Sequence, residues 1–174
     1  MNIEEIKSLI RDVPDFPKKG VIFKDINPLL AHPLGFRTVI EKMASIYENG
    51  KIDSVVGIEA RGFIFAAGIA NILSAGFVSI RKPGKLPLAT QSVTYKLEYG
   101  NDTLQIQDEA IYKGQKILIV DDVLATGGTM GAAIDLVRIC EADIIGVSCF
   151  IELEFLKGRG KFDSNIETSS IIKY

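Results

Sequence analysis

Hydrophobic and polar positions along the chain form blocks that predict strands alternating with helices. Residues 117–120 are a short apolar run without helical periodicity, typical of a strand covered on both faces in a parallel sheet. Apolar runs followed by helix-like segments recur upstream and downstream. This alternation indicates an α/β fold with an open, mostly parallel sheet and helices on both faces. Strands are expected over residues 53–60, 76–82, 117–120, 142–152 and 166–172, and helices over 62–75 and 130–140.

Four further segments accompany this sheet. Apolar residues at helical spacing predict a helix from Asn2, as its N-cap, to Val13, with Pro14 as the stop. Residues 14–33 are expected to be mostly loop, and residues 33–47 predict an amphipathic helix. Residues 92–100 and 102–107 alternate like two strands of an antiparallel hairpin. Because this polar hairpin interrupts the buried strands, we interpret it as a candidate lid.

Bulk composition narrows the function classes. The 174 residues, 47% of them hydrophobic and 24% charged, suit one domain that buries roughly 70% of its unfolded surface. The net charge of −2 argues against broad binding to nucleic acid or to an anionic membrane. The first residues are acidic and no apolar run approaches the roughly 18 residues of a membrane span, so we expect a cytoplasmic protein without a signal peptide.

Cysteine and histidine offer little for catalysis. Cys140 and Cys149 lie in apolar surroundings without clustered metal ligands, so we expect reduced thiols rather than a zinc site. His32 is the single histidine, and its place beside Pro33 indicates a structural role. The chemistry must therefore come from other residues.

The strongest chemical pattern follows the strand at residues 117–120. Asp121 and Asp122 are expected where this strand ends, and a turn of hydroxyl and glycine residues, 126–129, leads into the next helix. Glycines let the backbone approach an anion, and free N–H groups at a helix start favour phosphate. Two carboxylates beside a phosphate require a sugar diol or a cation, so the stretch predicts a phosphorylated sugar. The turn lacks the lysine of a Walker loop and the three glycines of a dinucleotide fingerprint.

Other charged residues are predicted at the ends of neighbouring strands. Arg61 lies near a helix start and can contact phosphate with two N–H groups, although a surface salt bridge is the alternative. The positive cluster comprises Arg81, Lys82 and Lys85, which either closes over a polyphosphate or is a solvated charge run. Glu98 on the hairpin could be a general acid or base once closure removes water, or merely a solubilising residue.

Taken in order, these segments resemble a known family. VDDVLATGGT resembles the ribose-phosphate motif of the type I phosphoribosyltransferases. The segments FPKKGVIFKDINPLL, GIEARGF, RKPGKLP and LEYG are similar to the successive motifs of the branch that acts on adenine. The resemblance implies conversion of adenine and phosphoribosyl pyrophosphate to AMP and pyrophosphate, with Mg²⁺ held mainly by substrate and water. It also implies a homodimer, an N-terminal hood over residues 1–34 and a flexible lid over residues 82–107.

The resemblance also assigns roles for the sugar and the phosphates. Asp121 and Asp122 would hold the ribose hydroxyls. Arg61 would bind pyrophosphate from a loop that often contains a cis peptide, and Lys85 would reach pyrophosphate from the neighbouring subunit, with Arg81 at the same interface. The 5′-phosphate would be held by Ala125, Thr126, Gly127, Gly128 and Thr129.

For the base, the resemblance implies a pocket of Ile22, Phe23 and Lys24, with Phe23 stacked on adenine. Lys24 stands where many relatives have arginine, which places any role of a planar guanidinium in doubt. Glu98 would manage the proton on adenine, with Tyr99 beside it.

Three other functions remain open at this level. They are salvage of another purine, a non-catalytic regulator that senses phosphoribosyl pyrophosphate, and an acidic-pair phosphoacceptor domain. The regulator does not require the RKPGK and LEYG segments, and the phosphoacceptor leaves the TGGT and EARG segments unexplained.

Overall fold

A five-stranded parallel sheet forms the centre of the computed structural model, which describes residues 1–97 and 100–174. In chain order the elements are α1 (Ile3–Ser8), β1 (Arg11–Pro14), β2 (Ile22–Asp25), α2 (Asn27–Leu30), α3 (Pro33–Ser45), β3 (Ser54–Ile58), α4 (Gly62–Leu73), β4 (Gly76–Ile80), β5 (Thr90–Leu97), β6 (Gly100–Gln107), β7 (Lys116–Leu124), α5 (Gly128–Ile139), β8 (Asp143–Glu152) and β9 (Thr168–Lys173). Two 3₁₀ turns, Glu154–Leu156 and Gly158–Lys161, lie between β8 and β9. The strand order is β4-β3-β7-β8-β9, which confirms the predicted α/β fold.

Alternation along the central strand β7 divides the core into two layers. Leu118 and Val120 contact the layer that contains α1 to α4, whereas Ile117 and Ile119 contact the layer built from α5 and the β5–β6 hairpin. Successive strand residues point to opposite faces of a sheet, so a continuous apolar run is what a strand covered on both faces requires.

β7 is longer than its apolar run. The prediction that the strand ends before Asp121 and Asp122 is wrong, because pairing with β8 continues through Asp121 opposite Cys149 to Leu124 opposite Glu152. Both aspartates are therefore held by the sheet rather than by a turn.

The N-terminal prediction was only partly right. Asn2 caps α1, and its Oδ1 accepts the Glu5 N–H at 2.8 Å, but the helix ends at Ser8 rather than Val13. Residues 11–14 instead pair with β2, in the segment expected to be loop. An ion pair across this ladder, Lys24 Nζ to Asp12 Oδ1 at 2.6 Å, shows that a distant partner determined the local conformation.

The remaining predicted helices and the hairpin are present. β5 and β6 pair in an antiparallel register. An isolated bridge between Gln105 and Arg81, the residue directly after β4, attaches the hairpin to the end of that strand. The face of β6 that carries Leu104 and Ile106 is buried, so the base of the hairpin belongs to the core.

The histidine and the cysteines have structural surroundings. His32 caps α3, and its Nδ1 accepts the Gly35 N–H at 3.0 Å. Cys140 and Cys149 are free thiols, and burial raises the pKa of Cys149 well above its ordinary value. Among the described residues, no helix has the length and apolar character needed to cross a membrane.

Candidate functional site

Three strand-end segments meet around a cavity of about 240 Å³. It lies between the loop after β3, the hairpin and the end of β7. Its walls are Glu59, Ala60, Arg61, Lys82, Tyr95, Asp102, Leu104, Asp121, Asp122 and Thr129. The structure thus brings Arg61, the aspartate pair and Thr129 together, as predicted from their positions at strand ends.

Beside this cavity the turn at residues 125–129 forms a small concavity of about 50 Å³. Gly127 has φ of 83°, a left-handed conformation that favours glycine, and α5 begins at the next residue. The first N–H groups of a helix have no partner within the helix, so an anion in the concavity beside this helix start would be stabilised. Thr126 and Thr129 line the same concavity and can add hydroxyl donors.

The aspartate pair is desolvated. Asp122 is 6% exposed, and its Oδ2 lies 2.7 Å from Arg61 Nε, yet this buried oxygen has no well-aligned hydrogen bond within the described part of the chain. Burial raises the pKa of Asp121 well above its ordinary value, and the adjacent Asp122 charge raises it further. Burial also raises the pKa of Asp122, against the opposing effect of Arg61. A hydroxyl group of a diol would give Asp122 Oδ2 the hydrogen-bond donor that the described residues do not supply.

Arg61 reaches the pair because Gly62 lets the start of α4 approach β7 closely. A Cβ on Gly62 would lie 2.9 Å from Asp121 Oδ1 and 3.0 Å from the Val120 carbonyl oxygen. A larger residue at position 62 would therefore crowd β7 at Val120 and Asp121. In the same loop, the peptide bond between Glu59 and Ala60 is cis, as the family resemblance implied.

A polar network joins the hairpin to the turn at residues 125–129, and the sequence did not indicate it. Tyr95 Oη lies 3.3 Å from Thr129 Oγ1 and 3.4 Å from Asp102 Oδ2, and Lys82 Nζ lies 3.0 Å from the same Asp102 oxygen. Although burial opposes it, the hydrogen bond with Lys82 lowers the pKa of Asp102. Tyr95 and Asp102 are directly opposite in the hairpin register, so a correct register would have identified the pair.

Two of the predicted cationic residues lie outside this cavity. Arg81 Nε is 3.3 Å from Glu59 Oε2, and an Arg81 N–H donates to the Lys85 carbonyl at 3.2 Å. Lys85 itself is exposed on the connection to the hairpin. Glu98 and Tyr99, predicted on the hairpin, lie outside the described residues.

A larger and mainly apolar cavity of about 630 Å³ lies on the other side of the turn, under β2. Ile22 and Lys24 line it, but Phe23 points to the opposite side of the strand. There the Phe23 ring lies 5.1 Å from that of Phe16 and 4.7 Å from the Arg61 guanidinium carbon. The cavity walls are Lys18, Gly20, Val21, Ile22, Lys24, Ala125, Thr126, Leu153, Phe155, Leu156 and Tyr174.

Gly158 supports the turn from behind, a role that no local sequence signal indicated. A Cβ on Gly158 would fall well inside van der Waals contact with the Ala125 carbonyl oxygen, and one on Gly127 would clash with Gly158. The next residue, Arg159, pairs with the buried Glu152 through two hydrogen bonds of 2.6 Å. The two glycines therefore let a fixed backbone segment press directly against the turn.

Carboxylates near the turn could supply one or two ligands to a cation but not a complete metal site. Within residues 1–97 and 100–174, no three His, Cys, Asp or Glu side chains form a metal-binding group. Mg²⁺ commonly uses one or two carboxylates together with water and substrate phosphates. Asp121 and Glu59 at the cavity fit that arrangement.

Comparisons with known proteins agree with this geometry. The family model for the phosphoribosyl transferase domain matches residues 25–171. An adenine phosphoribosyltransferase from Geobacter metallireducens is 54% identical over 159 residues, which cover 91% of this chain and 93% of that protein. The crystal structure of adenine phosphoribosyltransferase from Thermoanaerobacter pseudethanolicus has a TM-score of 0.96 and 47% identity, covering 99% of this chain and 100% of that one. The Saccharomyces cerevisiae enzyme, crystallised with an imino-altritol bisphosphate and adenine, has a TM-score of 0.91 and 39% identity, with 97% of each chain covered.

The contact between Gly158 and the turn predicts a selective binding defect. Gly158→Ala should weaken binding of ribose 5-phosphate by about tenfold, because overpacking at the Ala125 carbonyl would displace the turn. Isothermal titration calorimetry would measure this affinity. Gly160→Ala is the matched control, since a Cβ there meets nothing within 4 Å. Equal affinities for the two variants would contradict the supporting role of Gly158.

Proposed function

The chain belongs to the adenine phosphoribosyltransferases, and from this premise we propose how its residues divide the reaction between them. The enzyme transfers a phosphoribosyl group from phosphoribosyl pyrophosphate to adenine and releases AMP and pyrophosphate, which salvages a purine base. The single observation that carries the assignment of residues is the buried Asp122, paired with Arg61 and adjacent to the helix-start turn.

The ribose phosphate binds at the end of β7. The 5′-phosphate occupies the concavity formed by residues 125–129, and Asp121 and Asp122 accept hydrogen bonds from the ribose hydroxyls. This assignment is supported by Asp122 Oδ2, which forms an ion pair with Arg61 but accepts no aligned hydrogen bond from the described residues, and by the raised pKa values of both aspartates, which hydroxyl donors would offset.

Pyrophosphate binds on the other side of the aspartate pair. Arg61 contacts it as a catalytic residue, and Lys82 joins Arg61 from the hairpin side of the same cavity. Lys85 reaches the pyrophosphate of the neighbouring subunit in a homodimer, with Arg81 at that interface. Mg²⁺, bound mainly by phosphate oxygens and water, would neutralise charge on the leaving pyrophosphate.

Adenine enters the 630 Å³ cavity beneath β2. Ile22 and Ala125 provide apolar contacts, and backbone groups of β2 read the edge of the base. Phe23 contributes to the pocket by stacking, which requires its ring to leave the contact with Arg61 described above. Lys24 forms part of the pocket wall. Its ammonium cannot recognise the base as the planar guanidinium of an arginine could.

The reaction is a displacement at the anomeric carbon. Positive charge builds on the ribose as pyrophosphate leaves, the aspartate pair orients the sugar, and adenine N9 attacks from the opposite face. Glu98 acts as the general acid or base for the proton on adenine, with Tyr99 beside it. The lid (residues 82–107) and the hood (residues 1–34) close over the site and exclude water, which would otherwise hydrolyse the activated sugar. We place this activity in the cytoplasm, which suits the two free thiols.

The substrate assignment predicts strong selectivity in a purine panel. With phosphoribosyl pyrophosphate and Mg²⁺, adenine should give a nucleotide product, whereas hypoxanthine, guanine and xanthine should not. Chromatography of the products would measure this. Product from another base would favour salvage of that purine, and binding of phosphoribosyl pyrophosphate without any product would favour the regulatory alternative.

The role of Glu98 predicts a loss of turnover without a loss of binding. Glu98→Gln should lower kcat by at least about tenfold, because an amide cannot exchange the proton on adenine. Steady-state kinetics would give kcat, and calorimetry with AMP would show that binding persists. Glu109→Gln, an exposed carboxylate beyond the hairpin, is the control. Near-normal turnover of the Glu98 variant would refute the role.

A site shared across a dimer predicts complementation. Lys85→Ala and Asp122→Ala subunits are each expected to be nearly inactive alone. Refolded together, they should recover about a quarter of wild-type activity, because random pairing makes half of the dimers mixed, each with one intact site. An activity assay on the mixture would measure the recovery. If no activity returned, Lys85 would have to act within its own chain.

A further inference from the structure

Tyr174 closes one end of the cavity beneath β2, and its backbone is attached to the end of β8. Its N–H donates to the Glu152 carbonyl at 3.0 Å, and its carbonyl accepts the Glu154 N–H at 2.9 Å. These two hydrogen bonds place the residue beside Leu153 and Phe155, which line the same cavity. The backbone of Tyr174 is thus attached to the main sheet rather than to the hood.

On the hood side, Lys24 contacts this ring. Its Nζ lies 3.7 Å from the Tyr174 ring centroid and 2.6 Å from Asp12 Oδ1, and the Lys24 side chain is only 12% exposed. A desolvated ammonium over an aromatic face is attracted by the ring quadrupole. Burial raises the pKa of the Tyr174 phenol, and the Asp12 and Glu4 carboxylates raise it further, so the ring stays neutral at physiological pH.

This contact matters for the base because the hood strands form a separate sheet. Among residues 1–97 and 100–174, β1 and β2 pair only with each other, so no backbone ladder joins them to the five-stranded sheet and side-chain contacts contribute to their position over the site. Ile22 lies two residues before Lys24 on the same face of β2, and both line the cavity opposite Ala125. A fixed Lys24 therefore fixes the wall that Ile22 presents to the base.

We infer that Tyr174 is a positioning residue for adenine, which acts by holding Lys24 and, through β2, the wall of the base pocket. This inference rests on the proposed function of that pocket. The inference also gives Lys24 a role for which an ammonium is suited, because this compact charge can lie over the Tyr174 ring and pair with Asp12 at the same time.

A series of substitutions tests the role of the aromatic face. Tyr174→Leu should raise KM for adenine by about threefold to tenfold, the effect of a lost cation–π contact, with kcat and KM for phosphoribosyl pyrophosphate changed less than about twofold. Tyr174→Phe keeps the face and should remain near wild type in all three constants. Tyr112→Leu, at a tyrosine that is 67% exposed, is the control for loss of a tyrosine elsewhere.

A second variant tests the partner. Lys24→Met keeps an unbranched apolar chain, one atom shorter, without the charge, and should raise KM for adenine as Tyr174→Leu does. The double variant should add little, because the effects of two residues in direct contact are not additive. If Tyr174→Leu does not fold, Lys24→Met alone decides. Unchanged KM for adenine in these variants, or an equal effect from Tyr174→Phe, would overturn the inference. The purine panel on the wild type separates the two failures, because wild-type use of adenine upholds the proposed function whatever the variants show.

Discussion

Burial of an acidic pair at the end of a central strand is the constraint on which the site depends. Asp122 is desolvated because β7 continues past its apolar run and pairs with β8 on one side while α4 begins against it on the other. A buried carboxylate requires a nearby cation or hydrogen-bond donors, and Arg61 satisfies this only in part. A ligand with hydroxyl donors would supply the missing hydrogen bond, and this is the physical basis of the proposed contact with the ribose.

The elements around this pair hold the ligand-binding groups in relation to each other. The network of Tyr95, Asp102 and Lys82 connects the hairpin to Thr129 at the start of α5. On the opposite side of the turn, Gly158 contacts the Ala125 carbonyl from a segment that the Arg159–Glu152 pair holds against β8. Two separate structural units thus contact the turn from opposite sides.

Local sequence was sufficient where local chemistry determined the structure. The order of strands and helices, the cap at Asn2, the hairpin and the meeting of Arg61, the aspartate pair and Thr129 at one cavity were predicted correctly in outline, although β7 continues through both aspartates to Leu124. It was insufficient where a distant segment decided the conformation. Residues 11–13 were predicted to continue the helix indicated by the apolar spacing of residues 3–10, but they pair with β2. The contacts of Phe23 with Phe16 and Arg61 were likewise not predicted, and its stacking on adenine stays a prediction.

The sequence by itself determined the parallel sheet and the composition of its carboxyl edge, because buried runs, glycines and charges at strand ends are readable from neighbouring residues. Only the tertiary structure decided that Gly158 would support the turn, that Tyr95 would reach Thr129 and that Tyr174 would cover Lys24. These contacts join residues 31 to 150 positions apart on the printed chain. Their geometry follows from how the separate layers pack around the sheet, which no local pattern of residues specifies.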